Sequence, residues 1–277
     1  IRRDRKFNEQ IKVHLLKLTL QHKNSTIAFT QKGKGDAIIL LHGFLENQSM
    51  WQPFMETLAQ SYHVITIDLL GHGKTAPIGY VHTMEQMATA IEAVLIHLDI
   101  KKAHFAGHSM GGYAALAYAK MFPKKVLSLA LINSTPVADS QERKDNRDRA
   151  IKAVKTHHKN AISMSIANLF TPENRLLLDD DIAVLKQEAL NTPLQGIIAA
   201  QEGMKLRTDF TEFFKTIKCP KLIVLGKKDP VLNFDETSKA THHKSILQHF
   251  FEDGHMSPME NKVELIEVLK RFYNKLN

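Results

Sequence analysis

The stretch Ala103-His-Phe-Ala-Gly-His-Ser-Met-Gly-Gly-Tyr113 decides how the rest of the chain is read. Ala103–Gly107 is a short, mostly apolar run ended by glycine, too short for a helix and suited to a buried strand. Gly111–Met121 is rich in small residues, reads as a helix and stops before Pro123. Between them Gly107-His-Ser-Met-Gly111 fits G-x-S-x-G, which sets a serine on a tight strand-to-helix turn. The serine backbone is strained there, and side chains at the flanking glycine positions would clash. The turn also aims the amide of Met110 at the carbonyl oxygen of a substrate on Ser109, and the helix N-terminus adds a favourable dipole. The pentapeptide alone is common; between a strand and a helix it designates Ser109 as a nucleophile.

Outward from this turn the chain alternates. Ala37–Leu41 is a buried-type strand, Trp51–Ser61 has helical spacing, and Val64–Ile67 is a strand. Met84–Leu98 carries a stripe of Met84, Met87, Ala88, Ile91, Val94, Leu95 and Leu98, and Val126–Ile132 is a strand again. Upstream, Ile11–Leu20 and Thr26–Gln31 flank the polar turn His22–Ser25 and predict an antiparallel hairpin. From Asn133 to Phe214 no buried strand is found, only amphipathic, charged pieces punctuated by Pro136, Pro172 and Pro193. The alternation resumes with Lys221–Gly226 (strand), Asp235–His242 (helix), Ile246–Phe251 (strand) and Lys262–Asn274 (helix). Such alternation implies a mostly parallel sheet with right-handed crossovers, interrupted once by a helical insertion.

A serine becomes a strong nucleophile only beside an oriented base, and in this architecture the order is Ser, acid, His. Asp229 follows the strand Lys221–Gly226, and His255 follows the strand Ile246–Phe251, so both fall at strand carboxyl ends near Ser109. With 15 histidines in the chain, position after the last strand is what selects His255 over His242, His243 and His249. Of the competing acids, Asp235 reads as a helix cap and Asp253 is too near His255 to face it. A second oxyanion donor comes from Leu41-His-Gly-Phe44, where Gly43 allows close backbone approach and the Phe44 amide is the donor. His42 reads as a brace for that loop, and His108 as the variable residue of the turn.

These segments, with Asp68-Leu-Leu-Gly-His-Gly73, Gly226-Lys-Lys-Asp-Pro230 and Gly254-His-Met256, resemble the α/β-hydrolase superfamily over Ala37–Ile132 and Cys219–Asn274. The resemblance implies an α/β fold: a doubly wound, mostly parallel sheet with an N-terminal antiparallel hairpin and a helical cap. It implies a core in two parts, residues 1–132 and 215–277, around a cap at 133–214. Ser109, Asp229 and His255 would form the triad, Phe44 and Met110 the oxyanion hole, and Phe44, Tyr113 and Met256 are candidate substrate contacts. No cofactor and no metal is expected. Serine rather than aspartate at the turn disfavours the dehalogenase and epoxide hydrolase branches. The leading reading is a carboxylesterase-type hydrolase of a small ester or thioester. Alternatives are a menaquinone-pathway-type lyase, a cofactor-free perhydrolase, and a signalling regulator that only binds its ligand. Against the lyase, Tyr113 stands where that branch places an arginine.

Composition sets outer limits. The 277 residues are 43% hydrophobic and 24% charged, ordinary globular material with room for a large core. The net charge of +8 is scattered among acids, so no nucleic-acid partner is expected, only a bias toward anionic small molecules. A single cysteine, Cys219, rules out an internal disulfide and fits a cytoplasmic protein, while a chain beginning at Ile1 leaves a removed N-terminal signal open. No apolar run approaches the roughly 20 residues of a membrane span. Trp51, Met84 and Met87 read as packing residues. In the insertion, Met164, Phe170 and Leu176–Leu178 could line an acyl pocket or pack helices, and Arg143, Arg147 and Arg149 read as a solvated basic face.

Overall fold

Ala37–Leu41 (β3) is buried along its whole length, and its side chains divide between two cores with the period of a strand. Ile39 and Leu41 enter one apolar cluster, Ile38 and Leu40 the other. The same split recurs at Phe105 and Ala106 and at Ile223 and Val224, so helices cover both faces of the sheet. The computed structural model describes residues 16–276.

The other strands are Leu16–His22 (β1), Ser25–Lys32 (β2), His63–Ile67 (β4), Ala103–His108 (β5), Val126–Ile132 (β6), Lys221–Gly226 (β7) and Ile246–Phe251 (β8). They lie in the order β1-β2-β4-β3-β5-β6-β7-β8. Strand β1 pairs antiparallel with β2, and β2 with β4; the remaining pairs are parallel. The N-terminal hairpin is therefore present, with the expected residues 11–15 outside the described part of the chain.

Helices in chain order are Gln52–Leu58 (α1), Met84–His97 (α2), Met110–Met121 (α3), Gln141–Thr156 (α4), His158–Ala167 (α5), Pro172–Leu177 (α6), Asp179–Leu190 (α7), Leu194–Lys205 (α8), Thr211–Thr216 (α9), Phe234–Ala240 (α10), Ser257–Glu260 (α11) and Lys262–Asn274 (α12). A 3-10 turn over Gln48–Trp51 leads into α1. The cap of α10 differs from the sequence expectation. Asn233 accepts from the Glu236 amide, and Asp235 lies inside the first turn. No helix among the described residues is long and apolar enough to cross a membrane.

Helices α4–α8 bury a third cluster of their own, including Ile162, Ile166, Phe170, Ile182 and Leu185, which also takes in Leu45 and Met256 from the loops below. Helix α8 shares in both this cluster and a sheet-side one, with Ile197 in the former and Ala200 and Met204 in the latter. Helix α9 buries Phe214 in the sheet-side cluster, so the boundary expected at residue 214 falls inside a helix.

Candidate active site

Ser109 sits between β5 and α3 with φ 48° and ψ −115°, a strained conformation for a residue with a Cβ. Two close approaches force the turn. A Cβ on Gly107 would lie 2.3 Å from the backbone of Gly111, and one on Gly111 would lie 2.3 Å from the Leu41 carbonyl oxygen. The Ser109 amide donates to the Ile132 carbonyl (2.9 Å), and the Ser134 hydroxyl donates to the Ser109 carbonyl (2.8 Å). These bonds hold the strained backbone from both sides.

The three residues singled out from sequence meet at the carboxyl ends of β5, β7 and β8. Ser109 Oγ is 2.9 Å from His255 Nε2, and His255 Nδ1 donates to Asp229 Oδ2 at 2.7 Å. A carboxylate on Nδ1 selects the tautomer that leaves Nε2 as an acceptor for the serine proton. Asp229 Oδ1 accepts from the amides of Val231 (2.8 Å) and Leu232 (2.9 Å). Burial works against its charge, but the His255 imidazole and these amides outweigh it and hold the carboxyl below its usual range. Asp253 instead accepts from Asn174 and Asn261, while His242, His243 and His249 are not among the residues lining the Ser109 cavity.

The amides of Phe44 and Met110, the expected oxyanion donors, have no protein acceptor among the described residues. His42 braces the Phe44 loop as expected: Nδ1 donates to the Gly43 carbonyl (2.7 Å) and Nε2 accepts from the Leu69 amide (2.9 Å). Burial lowers its pKa, and burial takes neighbouring His72 down to about 3, so that ring stays neutral.

His108 is more than a variable residue. Buried completely, it lies with Nδ1 3.0 Å from Glu46 Oε2 and Nε2 2.9 Å from the His255 carbonyl oxygen. Two acceptors require two donors, so the ring is held as an imidazolium. Burial opposes that charge, yet the Glu46 carboxylate and the His255 carbonyl raise its pKa; burial likewise opposes ionisation of Glu46, and His108 still lowers it. Glu46 Oε2 also accepts from the Gly43 amide at 2.6 Å. Glu46 and Asn133 escape sequence reasoning because their partners are remote. Asn133 Nδ2 reaches Asp229 Oδ2 (3.3 Å) and the Gly254 carbonyl (3.1 Å), joining the acid and base loops.

A cavity of about 90 Å³ opens on Ser109 and His255. Phe44 and Tyr113 line it, together with Arg143, Arg147, Ile166 and Leu169. Met256 is buried in the cluster of the insertion and takes no part in the lining. Met164, Leu176 and Leu177 face solvent, and Phe170 is packed internally. Arg143 and Arg147 are not a solvated face, whereas Arg149 is exposed. A larger groove of about 560 Å³ beside Gln48, Asp68 and Glu188 contains none of the three aligned residues.

The helical insertion is tied to the base loop. The His255 amide donates to the Leu169 carbonyl (2.9 Å), and Asn174 Nδ2 donates to both Asp253 and Glu260 (2.9 Å each).

Residues 36–262 match the family model for the alpha/beta hydrolase fold. The chain is 25% identical over 270 residues to 3-oxoadipate enol-lactonase 1 of Acinetobacter baylyi, covering 95% of this chain and 98% of that protein. It is 29% identical over 245 residues to the dihydrolipoyllysine-residue acetyltransferase component of the acetoin cleaving system of Pseudomonas putida; this match covers 87% of the chain but 64% of the relative's length. Its structure is similar to that of a thermophilic esterase from Thermogutta terrifontis, with a TM-score of 0.87, 28% identity, and coverage of 95% and 99% of the two chains.

Proposed function

The chain belongs to the alpha/beta hydrolase fold family, and from that premise we propose that it is a serine hydrolase of a small carboxylic ester, thioester or lactone. The unbroken chain Ser109 Oγ–His255–Asp229, with separations of 2.9 and 2.7 Å, is the observation that carries this reading. Ser109 Oγ attacks the substrate carbonyl while His255 Nε2 takes its proton, and Asp229 steadies the imidazolium. The oxyanion is met by the amides of Phe44 and Met110, whose lack of protein acceptors suits that task. Collapse returns the proton from His255 to the departing alcohol, thiol or enolate and leaves an acyl-serine. Water, deprotonated by the same histidine, releases the acid and restores the serine. Helices α4–α8, with a core of their own joined to the catalytic loops, serve as the cap that shapes the substrate space.

The relationship to an enol-lactonase supports including cyclic esters in the substrate class. The test is a panel of p-nitrophenyl esters of increasing acyl length, run on the native protein and Ser109→Ala. Short esters should be hydrolysed, with a loss of roughly 10³-fold or more in the variant. An active protein whose Ser109 escapes a fluorophosphonate probe would overturn the assignment.

A further inference from the structure

One carboxylate, that of Asp139, receives three guanidinium groups. Arg147 Nε bonds Oδ2 at 2.5 Å, Arg207 Nη2 bonds Oδ1 at 2.7 Å, and Arg143 Nε reaches Oδ1 at 3.4 Å. Asp139 is completely buried at its side chain, and the arginine side chains are between 5% and 32% exposed. Burial works against the Asp139 charge, but Arg147 and Arg207 hold its carboxyl well below the ordinary range, so the cluster carries two positive charges in excess. The next carboxylate, Asp209, is taken up by the amides of Ala138 and Thr211 and lies toward Arg207, which itself stacks over the Tyr113 ring at 3.9 Å. Glu46, on the cavity wall, is neutralised by His108.

With Asp209 set against Arg207, three guanidiniums face two carboxylates, and the one positive charge left over falls on Arg143 and Arg147, which line the Ser109 cavity. Arg147 is held by Asp139 and by Gln201 Oε1 (3.0 Å). Arg143 spends Nη1 on the Val231 carbonyl (2.5 Å), and its Nη2 has no acceptor among the described residues. Holding Asp139 would take one arginine; three like charges around one carboxylate repel each other in a site of low dielectric. That cost is offset when an anion enters, and Arg143 Nη2, with no acceptor of its own, is placed to donate a charge-assisted hydrogen bond to a carboxylate.

Resting on the serine-hydrolase reading, we propose that Arg143 and Arg147 bind a carboxylate of the substrate, so that the preferred substrates are short esters bearing a second, free carboxylate. The apolar wall of Phe44, Ile166 and Leu169 faces the chain between the two groups. The carboxylate could sit on the acyl or on the alcohol side of the scissile bond. Monoethyl esters of succinate, glutarate and adipate probe the first, and O-acetyl hydroxy acids the second. Each is compared with the uncharged ester of the same length by following acid release.

At least one charged ester should exceed its uncharged partner in kcat/KM by about 10- to 100-fold, the worth of one or two charge-assisted hydrogen bonds. Arg143→Gln and Arg147→Gln should each cut that ratio about tenfold, while exposed Arg149→Gln keeps it. Because the first two substitutions could loosen α4, the ratio is also measured in the unaltered protein at rising salt, where it should fall. Hydrolysis of uncharged esters with no preference in either series, or a ratio indifferent to both arginines, would overturn this proposal alone. Absence of all turnover and of fluorophosphonate labelling would instead remove the serine reading beneath it.

Discussion

His108 Nε2 donates to the backbone carbonyl of His255 at 2.9 Å, so the residue preceding the nucleophile holds the loop that carries its base. Through Nδ1 the same ring meets Glu46, which accepts from the Gly43 amide next to Phe44. One buried ion pair thus links the serine turn, the histidine loop and the oxyanion loop.

Removing His108 leaves the Glu46 carboxylate buried and uncompensated. His108→Ala should lower the unfolding free energy by about 3–5 kcal/mol in urea titrations. The double variant Glu46→Gln/His108→Gln should recover part of the loss. A single-variant loss below about 1 kcal/mol would mean that the pair does not hold these loops.

The pair also predicts a pH dependence. The folded pKa of His108 is raised, so its contribution is complete below the ordinary histidine value of about 6.5 and is lost as pH rises through the higher folded value. Glu46 and Asp229 are lowered; their contributions are complete above the ordinary carboxylate values near 4 and vanish as pH falls through the folded ones. Stability should be greatest between these limits. The difference in unfolding free energy between native protein and His108→Gln should shrink on the alkaline side; a constant difference would contradict the charged state assigned to His108.

Gly111→Ala places a Cβ against the Leu41 carbonyl at 2.3 Å, backbone against backbone. It should cost on the order of 3 kcal/mol or prevent folding. Gly79, with φ +67° and nothing within 4 Å of where a Cβ would stand, is the control: Gly79→Ala should cost only about 1 kcal/mol of backbone strain. Comparable melting temperatures for the two variants would refute the steric account of the turn.

Asn133 adopts φ 43° and ties Asp229 to Gly254. Glycine tolerates that backbone, so Asn133→Gly removes the side-chain ties without adding strain. A roughly tenfold drop in kcat with little change in KM is expected in steady-state kinetics with a short p-nitrophenyl ester, equivalent to ~1.4 kcal/mol of barrier. A change confined to KM would argue against a positioning role.

The strands and the serine turn were legible in the sequence because the constraints on them are local. Ala37–Leu41 is apolar at every position because both its faces are covered, and Gly107 and Gly111 are demanded by atoms a few residues away or on the adjoining strand end. Asp229 and His255 could be chosen from many acids and histidines because chain order places them after the last two strands.

The tertiary structure alone decided which charges are solvated and which are partners. Arg143 and Arg147 sit in a strongly polar helix, and nothing in its periodicity says that this part of it closes over Ser109. Glu46 and His108 are 62 residues apart, so no spacing rule connects them. A strand or a tight turn is dictated by neighbours along the chain. The worth of a buried charge depends on groups that folding brings to it from elsewhere, and at this site those groups link the base, the oxyanion loop and the arginine cluster.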